Sequence, residues 1–393
     1  MTDSASAASS FPPGPVPPRI LISAGDPSGA MHAARLARAL ADRAGARLFG
    51  LGTPVMGEAG VDLVADASSI AVVGLSEALE LLPRAWRLLN QLEAETARRR
   101  PRLAILVDFP DFNLRLARRL RPHRLPIIYF ISPQVWAWRP GRLHAIRKLV
   151  ERMLVIFPFE EKFYREAGVP AEFVGHPLAD APLPALAREE FCRRQGLDPR
   201  RPVLALLPGS RVKEVAHNLP PMLDACARIA AESPAPPQLV LAAAPGLRAA
   251  DFAPYWRGRE QVSVAERATY DVLAAADCAI VASGTATVEA ALMGTPMVVV
   301  YRVSAASAVV LRRLIRTPFY SMVNLLLERP AVPELMQQDF TPARVAAEAR
   351  RLLESPEERI RMQRDLAEVR RRLASPSPAG AIGRAAEIIA ARL

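Results

Sequence analysis

The sequence predicts an α/β protein: two doubly wound, Rossmann-like domains facing a cleft, with further helices at the C-terminus. Three observations carry this. Short apolar runs recur along the chain without alternating with polar residues, the pattern of strands buried on both faces of a parallel sheet. Helical periods separate these runs, so strand and helix alternate. The chain has 393 residues, 51% hydrophobic and 23% charged, a globular composition at a length that suits two domains.

Residues 1–18, MTDSASAASSFPPGPVPP, have neither the basic start nor the apolar core of a secretory signal and read as a disordered Pro/Ser tail. A first domain is expected over 19–178. RILISAGD (Arg19–Asp26) is a buried strand running into a turn, MHAARLARALADR a helix, and ARLFGLG (Ala46–Gly52) the next strand. LSEALELLPRAWRLLNQLEAETARRR (Leu75–Arg100) has a helical period with one proline break. RLAILVDFPDFN (Arg102–Asn113) is strand then loop, LRLARRLRPH a helix, and LPIIYFISP and ERMLVIFPF are strands. GHPLADAPLPALARE (Gly175–Glu189) is Pro/Ala-rich and reads as a linker.

The second domain, 179–345, repeats the theme. RPVLALLPGS (Arg201–Ser210) is strand and turn, PMLDACARIAAE a helix, PQLVLAAAP a strand, TYDVLAAA a helix, DCAIV (Asp277–Val281) a strand, and TPMVVVYRV a further strand. Residues 346–393 are helical in pattern and are expected to pack back on the first domain. Doubly wound sheets bind ligands at the carboxyl ends of their strands, so function is sought in the turns there.

The formal net charge is +11, and Lys148, Lys162 and Lys213 are the only lysines. Such a basic chain suits nucleic acid, anionic lipid or phosphorylated substrates. No nucleic-acid motif with interleaved aromatics is present, so no nucleic-acid partner is expected. No apolar run reaches the roughly 18 residues of a membrane-spanning helix. Cys192, Cys226 and Cys278 are far apart, the pattern of reduced cytoplasmic thiols. His32, His123, His144 and His217 share no metal-ligand spacing.

ASGTATVEAAL (Ala282–Leu292) turns through Ser283, Gly284 and Thr285 into a helix carrying Glu289 early. A helix start offers free N–H groups and partial positive charge, so it can hold a phosphate, and Glu289 can accept from two ribose hydroxyls. An ordinary strand–helix turn reads equally well. LLPGSRVKEV (Leu206–Val215) is built alike, and puts Gly209, Ser210 and Arg211 at a strand end, where a guanidinium can meet a diphosphate bidentately. SAGDPSGA (Ser23–Ala30) is the matching turn in the first half, with neither a G-x-G-x-x-G fingerprint nor a P-loop lysine. VDFPDFN places Asp108 near a strand end, within reach of a substrate as a general base, and Asp111 where a helix cap is favoured. In ISPQVWAWRPGR (Ile131–Arg142), an extended backbone would point Trp136 and Trp138 the same way, as core or as a contact wall. His176 reads as a hinge residue. Val72–Leu89 is apolar with Trp86 and arginines among it, a buried helix or an interfacial patch.

SAGDPSG, VDFPDFN, YFISPQVWAWRPGR, PFEEKFY, FVGHPLAD, LLPGSR, ASGTATVEAALMGTPMVVVYR and VNLL run in one order from about residue 20 to 340. Together they resemble the lipid-A-disaccharide synthases; SPQVWAWR and ASGTATVE are the most specific. The resemblance implies a two-domain glycosyltransferase of the GT-B type. It would transfer 2,3-diacylglucosamine from its UDP carrier to 2,3-diacylglucosamine 1-phosphate, giving a β-1,6-linked disaccharide 1-phosphate and UDP. It implies work without metal or other cofactor, at the cytoplasmic face of the inner membrane as a peripheral protein; a homodimer is an assembly to test. Asp108 matches the family's proposed base. Arg211, Glu289 and Asn324 match its UDP and donor site, and Gly209, Ser210, Ser283, Gly284 and Thr285 are grouped with them. Gly25, Asp26, Ser28 and Gly29 fall on the acceptor or cleft loop. Val72, Val73, Leu75, Leu79 and Leu82 are the expected membrane contacts.

The first loop departs from the family pattern A-G-E-x-S-G-D with G-A following: Asp26 stands for Glu, Ala30 for Asp and Ala33 for Gly. Two alternatives stay open on that ground: a catalytically impaired nucleotide-sugar-binding protein of the same fold, and another UDP-N-acetylhexosamine enzyme.

Overall fold

A computed structural model describes the backbone of residues 16–67, 78–138, 141–180, 186–256, 262–303 and 317–393, and their side chains except those of 78–81, 137 and 138. Residues 1–15 of the tail expected over 1–18 and the contacts expected at Val72, Val73 and Leu75 lie outside the described residues, as does the side chain of Leu79.

The first sheet comprises β1 (Arg19–Ala24), β2 (Arg47–Gly52), β3 (Asp62–Asp66), β4 (Leu103–Val107), β5 (Ile127–Phe130), β6 (Arg152–Val155) and β7 (Ala171–Phe173). The second comprises β8 (Val203–Leu207), β9 (Gln238–Ala243), β10 (Val262–Glu266), β11 (Cys278–Ala282), β12 (Met297–Tyr301) and β13 (Glu334–Met336). All described pairings are parallel. Every residue of β4, β8 and β11 is buried, because helices cover both faces; this is why these strands show no alternation.

The strand orders are β3-β2-β1-β4-β5-β6-β7 and β10-β9-β8-β11-β12-β13. Each order reverses once, between β1 and β4 and between β8 and β11, and a crevice opens at such a point. Register makes the crevices specific. Ala24 pairs with Val107 at the strand ends, so Gly25 and Asp108 leave the sheet side by side. Leu207 pairs with Val281, which brings the Gly209 and Ser283 turns level.

Two helices differ from the sequence expectation. The Ala78–Arg99 helix runs through Pro83 without a break; the proline is exposed near the helix start, where its missing N–H forfeits a single backbone bond. The Val212–Glu232 helix, capped by Arg211, starts well before PMLDACARIAAE and contains Pro220 and Pro221.

The chain crosses between lobes at two adjacent points. His176 N–H donates to the Leu373 carbonyl at 2.9 Å, and Ser375 Oγ donates to that of Val174 at 2.7 Å. Gly175 has φ 95°, and a Cβ there would lie 2.5 Å from Ser375 Cα, so glycine is needed where the crossings touch. The Asp180 carboxylate accepts from Ala381 N–H at 2.8 Å. Of the C-terminal helices expected to pack back on the first domain, Gly380–Ala390 does so, against the Pro27–Ala44 helix with an Arg43–Glu387 ion pair at 3.2 Å. Pro342–Glu354 and Pro356–Leu373 instead pack on the second lobe, against the Val212–Glu232 and Thr285–Met293 helices.

Candidate active site

The first wall of the cleft is built by the turns after β1 and β4. Asp108 and Phe109 are both left-handed, with φ 44° and 49°. Consecutive non-glycine residues in this region cost about 1–3 kcal/mol each. Phe109 caps the Pro110–Leu120 helix, and Asp111 sits inside its first turn, paired with Arg142. Asp111 is therefore not the cap expected from sequence: the left-handed turn starts the helix before Pro110. Gly25 lies against the Phe109 ring, where a Cβ would come within 2.4 Å of a ring carbon. Gly29 faces Asp108, with 3.5 Å between the place of its Cβ and that of Asp108. Ser28 is exposed beside it.

Burial pushes the Asp108 carboxyl up to about 7, and the Asp26 charge adds to the effect. The Asp26 carboxyl is itself raised by burial, opposed by the positive charge of Arg211. Arg211 belongs to the other lobe, so the two walls sense each other electrostatically at this point. Beneath Asp108 lies a buried polar group absent from the sequence expectation. Tyr129 Oη donates to the Asp108 carbonyl at 2.6 Å, and Asn113 Nδ2 to the same oxygen at 2.8 Å. Ser23 Oγ donates to Asn113 Oδ1 at 2.7 Å.

Glu160, in the Pro158–Glu166 helix after β6, is buried and holds the segment that follows β5. Its Oε1 accepts from Ser132 Oγ at 2.6 Å and Trp136 Nε1 at 3.0 Å, and Oε2 from Phe157 N–H at 3.3 Å. Burial pushes its carboxyl up to about 7. Val135–Trp138 is a short helix, not the extended strand that would align Trp136 with Trp138. The Trp136 indole turns inward to Glu160 and stacks edge-on with Phe159 at 5.0 Å.

The second wall is built by the turns after β8 and β11. Gly209 has φ 132°, and its turn closes on the helix that follows. Glu214 accepts from Ser210 N–H at 2.9 Å and pairs with Arg211 at 3.1 Å. Arg211 remains largely exposed, with 74% of its side-chain surface open. Gly284, φ 153°, caps the Thr285–Met293 helix, and nothing lies within 4 Å of the place a Cβ would take. Ser283 Oγ donates to the Tyr320 carbonyl at 3.2 Å. Thr285 is exposed at the helix start, where the first amides precede the intrahelical ladder; the Thr287 amide already bonds the Gly284 carbonyl at 3.1 Å. Glu289 is half-buried; burial raises its carboxyl, and a hydrogen bond from Tyr270 opposes the rise.

Other expected residues are placed differently. The Asn324 amide is fully engaged inside the protein. It donates to the Val332 carbonyl and Glu334 Oε1 and accepts from the amides of Ala331 and Val332. Glu334 in turn accepts from the Tyr320 and Ser321 amides, both at 2.9 Å. Asn324 thus shapes the loop beside Ser283 and has no free polar atom for a ligand. Ala30 and Ala33 are fully buried in the core, so these two departures from the family pattern do not face the cleft. His176 is buried at the crossing; its Nδ1 accepts from Leu178 N–H, and burial lowers it to about 3. Leu82 and Trp86 are exposed on the Ala78–Arg99 helix, and Arg119 stacks over the Trp86 ring at 4.7 Å. No helix among the described residues is long and apolar enough to cross a membrane.

Sequence reasoning missed Ser23, Asn113, Tyr129, Glu160, Tyr270 and Glu334. Asn113 and Glu160 lay within conspicuous motifs, and a polar residue inside an otherwise apolar helix face was the available signal.

Comparison with known proteins adds three findings. A family model described as "Lipid-A-disaccharide synthetase" matches residues 20–388. Lipid-A-disaccharide synthase of Solibacter usitatus is 44% identical over 373 residues, covering 94% of this chain and 96% of its own. That of Myxococcus xanthus is 45% identical over 376 residues, covering 95% and 97%. Among solved structures, the glycotransferase of kitacinnamycin superposes with TM-score 0.60 at 18% identity, covering 96% of this chain and all of its own. The MurG protein of Acinetobacter baumannii superposes with TM-score 0.56 at 12% identity, covering 95% and 99%. At such identities these two likenesses speak for the fold alone, that of two Rossmann-like domains of the GT-B type.

Proposed function

The chain belongs to the lipid-A-disaccharide synthase family, glycosyltransferases of lipid A biosynthesis, and from that premise we propose how its cleft performs the transfer. The donor is UDP-2,3-diacylglucosamine and the acceptor 2,3-diacylglucosamine 1-phosphate. The one observation that carries the reading is the opposition of walls. A carboxyl raised to about 7 stands on one side, and an open helix start with an exposed arginine on the other.

Asp108 in its ionised form takes the proton of the acceptor's attacking hydroxyl. The hydroxyl oxygen bonds to the anomeric carbon from the face opposite the leaving group, and the carbon–oxygen bond to the β-phosphate breaks. The electron pair leaves on UDP, and inversion makes the new linkage β. Positive charge at the leaving group comes from Arg211 and the amides around Gly284 and Thr285, held ready before the reaction begins. Glu289 accepts from the ribose hydroxyls. Gly209 and Ser210 let the backbone approach the diphosphate. Gly25, Asp26, Ser28 and Gly29 border the acceptor.

In this reading Arg211 must leave Glu214 for the diphosphate, which its exposure permits. The protein works on the cytoplasmic face of the inner membrane, where Leu82, Trp86 and nearby arginines meet lipid. Incubation with both substrates, with product mass measured, tests the reading. The disaccharide 1-phosphate and UDP are expected in equal amounts, undiminished by a chelator. UDP binding without disaccharide would favour the impaired alternative, and turnover of non-acylated UDP-sugars the other.

A further inference from the structure

We propose that Asn113 and Tyr129, with Ser23 behind them, are positioning residues for the transfer: they grip the Asp108 carbonyl and hold the base in a backbone conformation it would otherwise leave. The inference rests on the reading of Asp108 as the base.

Asp108 and Phe109 are consecutive left-handed residues without a glycine, and relaxation of either peptide would swing the carboxylate away from the cleft. Something must therefore over-determine the turn. The Asp108 carbonyl has two lone pairs and two buried donors, Tyr129 Oη at 2.6 Å and Asn113 Nδ2 at 2.8 Å. The orientation of the Asn113 amide is dictated by its surroundings. Its nitrogen faces the carbonyls of Asp108, Val107 at 3.2 Å and Ser23 at 3.3 Å, and its oxygen takes the Ser23 hydroxyl.

All three side chains are completely buried, and they come from three elements. Ser23 lies on β1, Tyr129 on β5, and Asn113 on the Pro110–Leu120 helix, so the clamp ties the turn after β4 to the strands on both sides. Volume alone does not call for this set, since Phe, Leu and Ala would fill the same space without groups that need partners. The polar atoms converge on one strained carbonyl. Phe109, the other left-handed residue, is held from above by the Gly25 backbone.

The test is Tyr129→Phe, which keeps the ring and removes one donor. Its kcat is expected to fall about tenfold to a hundredfold, the scale of a small misplacement of a reacting group. The UDP dissociation constant is expected to stay within about twofold of the parent. Ser23→Ala, on the far side of Asn113, should shift kcat the same way by less, and carries the test should Tyr129→Phe not fold. In an Asp108→Asn background Tyr129→Phe should not reduce the residual rate further, because the clamp acts through that carboxylate. Unchanged kcat in Tyr129→Phe beside a nearly inactive Asp108→Asn overturns the clamp and leaves the base. Independent losses in the double variant, or a kcat loss matched by weaker UDP binding, also overturn it. Full turnover in Asp108→Asn removes the base, and the clamp with it.

Discussion

The Asp108 turn and the Ser283–Thr285 turn hold the same place in their sheets. Each leaves the strand just past the reversal of strand order and starts a helix, after β4 in one lobe and β11 in the other. Their construction is opposite. The first has no glycine, carries two left-handed residues, and is gripped from below by buried hydrogen bonds. The second turns on Gly284, with open space around it, and has exposed Thr285 at the helix start. A base needs a fixed aim and a desolvated carboxyl, and both require packing. An anion cradle needs unpaired amides and room, and packing would spoil both.

The largest effect should come from neutralising the carboxylate on the first turn. Asp108→Asn is expected to lower kcat by about 10²–10⁴ while UDP affinity stays unchanged, and to raise the melting temperature. The sign follows from the carboxyl being raised to about 7 in the fold. The folded state holds that proton more tightly than the unfolded chain does. The contribution of this one group to stability is therefore greatest at low pH and falls as pH rises toward 7. Asparagine stays neutral throughout, and tolerates left-handed backbone, so the stability gain should be larger at pH 8 than at pH 5. Equal melting temperatures at pH 8 would show that burial does not disfavour the Asp108 charge, and would break the contrast between a dry wall and an open one.

Next comes the open wall. Arg211→Ala should weaken UDP binding by about 1.5–3 kcal/mol, the scale of a lost charged hydrogen bond. Calorimetry showing the parent affinity would mean the guanidinium stays with Glu214 and never meets the nucleotide. A smaller effect sharpens the electrostatic link between the walls. Asp26→Asn removes the like charge that helps raise Asp108. The acid limb of kcat/KM, expected near pH 7 in the parent, should move to lower pH; a limb that stays put would show burial acting alone. The smallest concerns a surface outside both walls. Leu82→Ser with Trp86→Ser should lower binding to anionic vesicles by roughly two- to tenfold and leave turnover of detergent-dispersed substrate intact. Unaltered vesicle binding would exclude this helix as the lipid contact.

The fold was largely legible, because parallel strands buried on both faces announce themselves as unbroken apolar runs, as in Ala104–Val107 and Ala279–Ala282. Turn positions were legible for the same reason, since Gly209, Gly284 and Asp108 follow those runs directly. The early start of the Val212–Glu232 helix was misjudged because packing of Val215, Leu219 and Pro221 overrode a local break signal, and Pro83 because a proline near an exposed helix start costs only one backbone bond. Asn324 is the instructive case. The family resemblance put it in the donor site, and in the structure both ends of its amide are taken by the loop it stabilises.

Local pattern alone determined where strands end, which residues stand at those ends, and that the chain is basic. These depend on period and on neighbours within a few positions. Only the tertiary structure decided that Asp26 lies within reach of the Arg211 charge, that Asp108 is dry enough to hold its proton to about pH 7, and that Ser23, Asn113 and Tyr129 share one task. Desolvation and buried hydrogen bonds are set by groups that strand order brings together from distant parts of the chain, and no short window of sequence contains them.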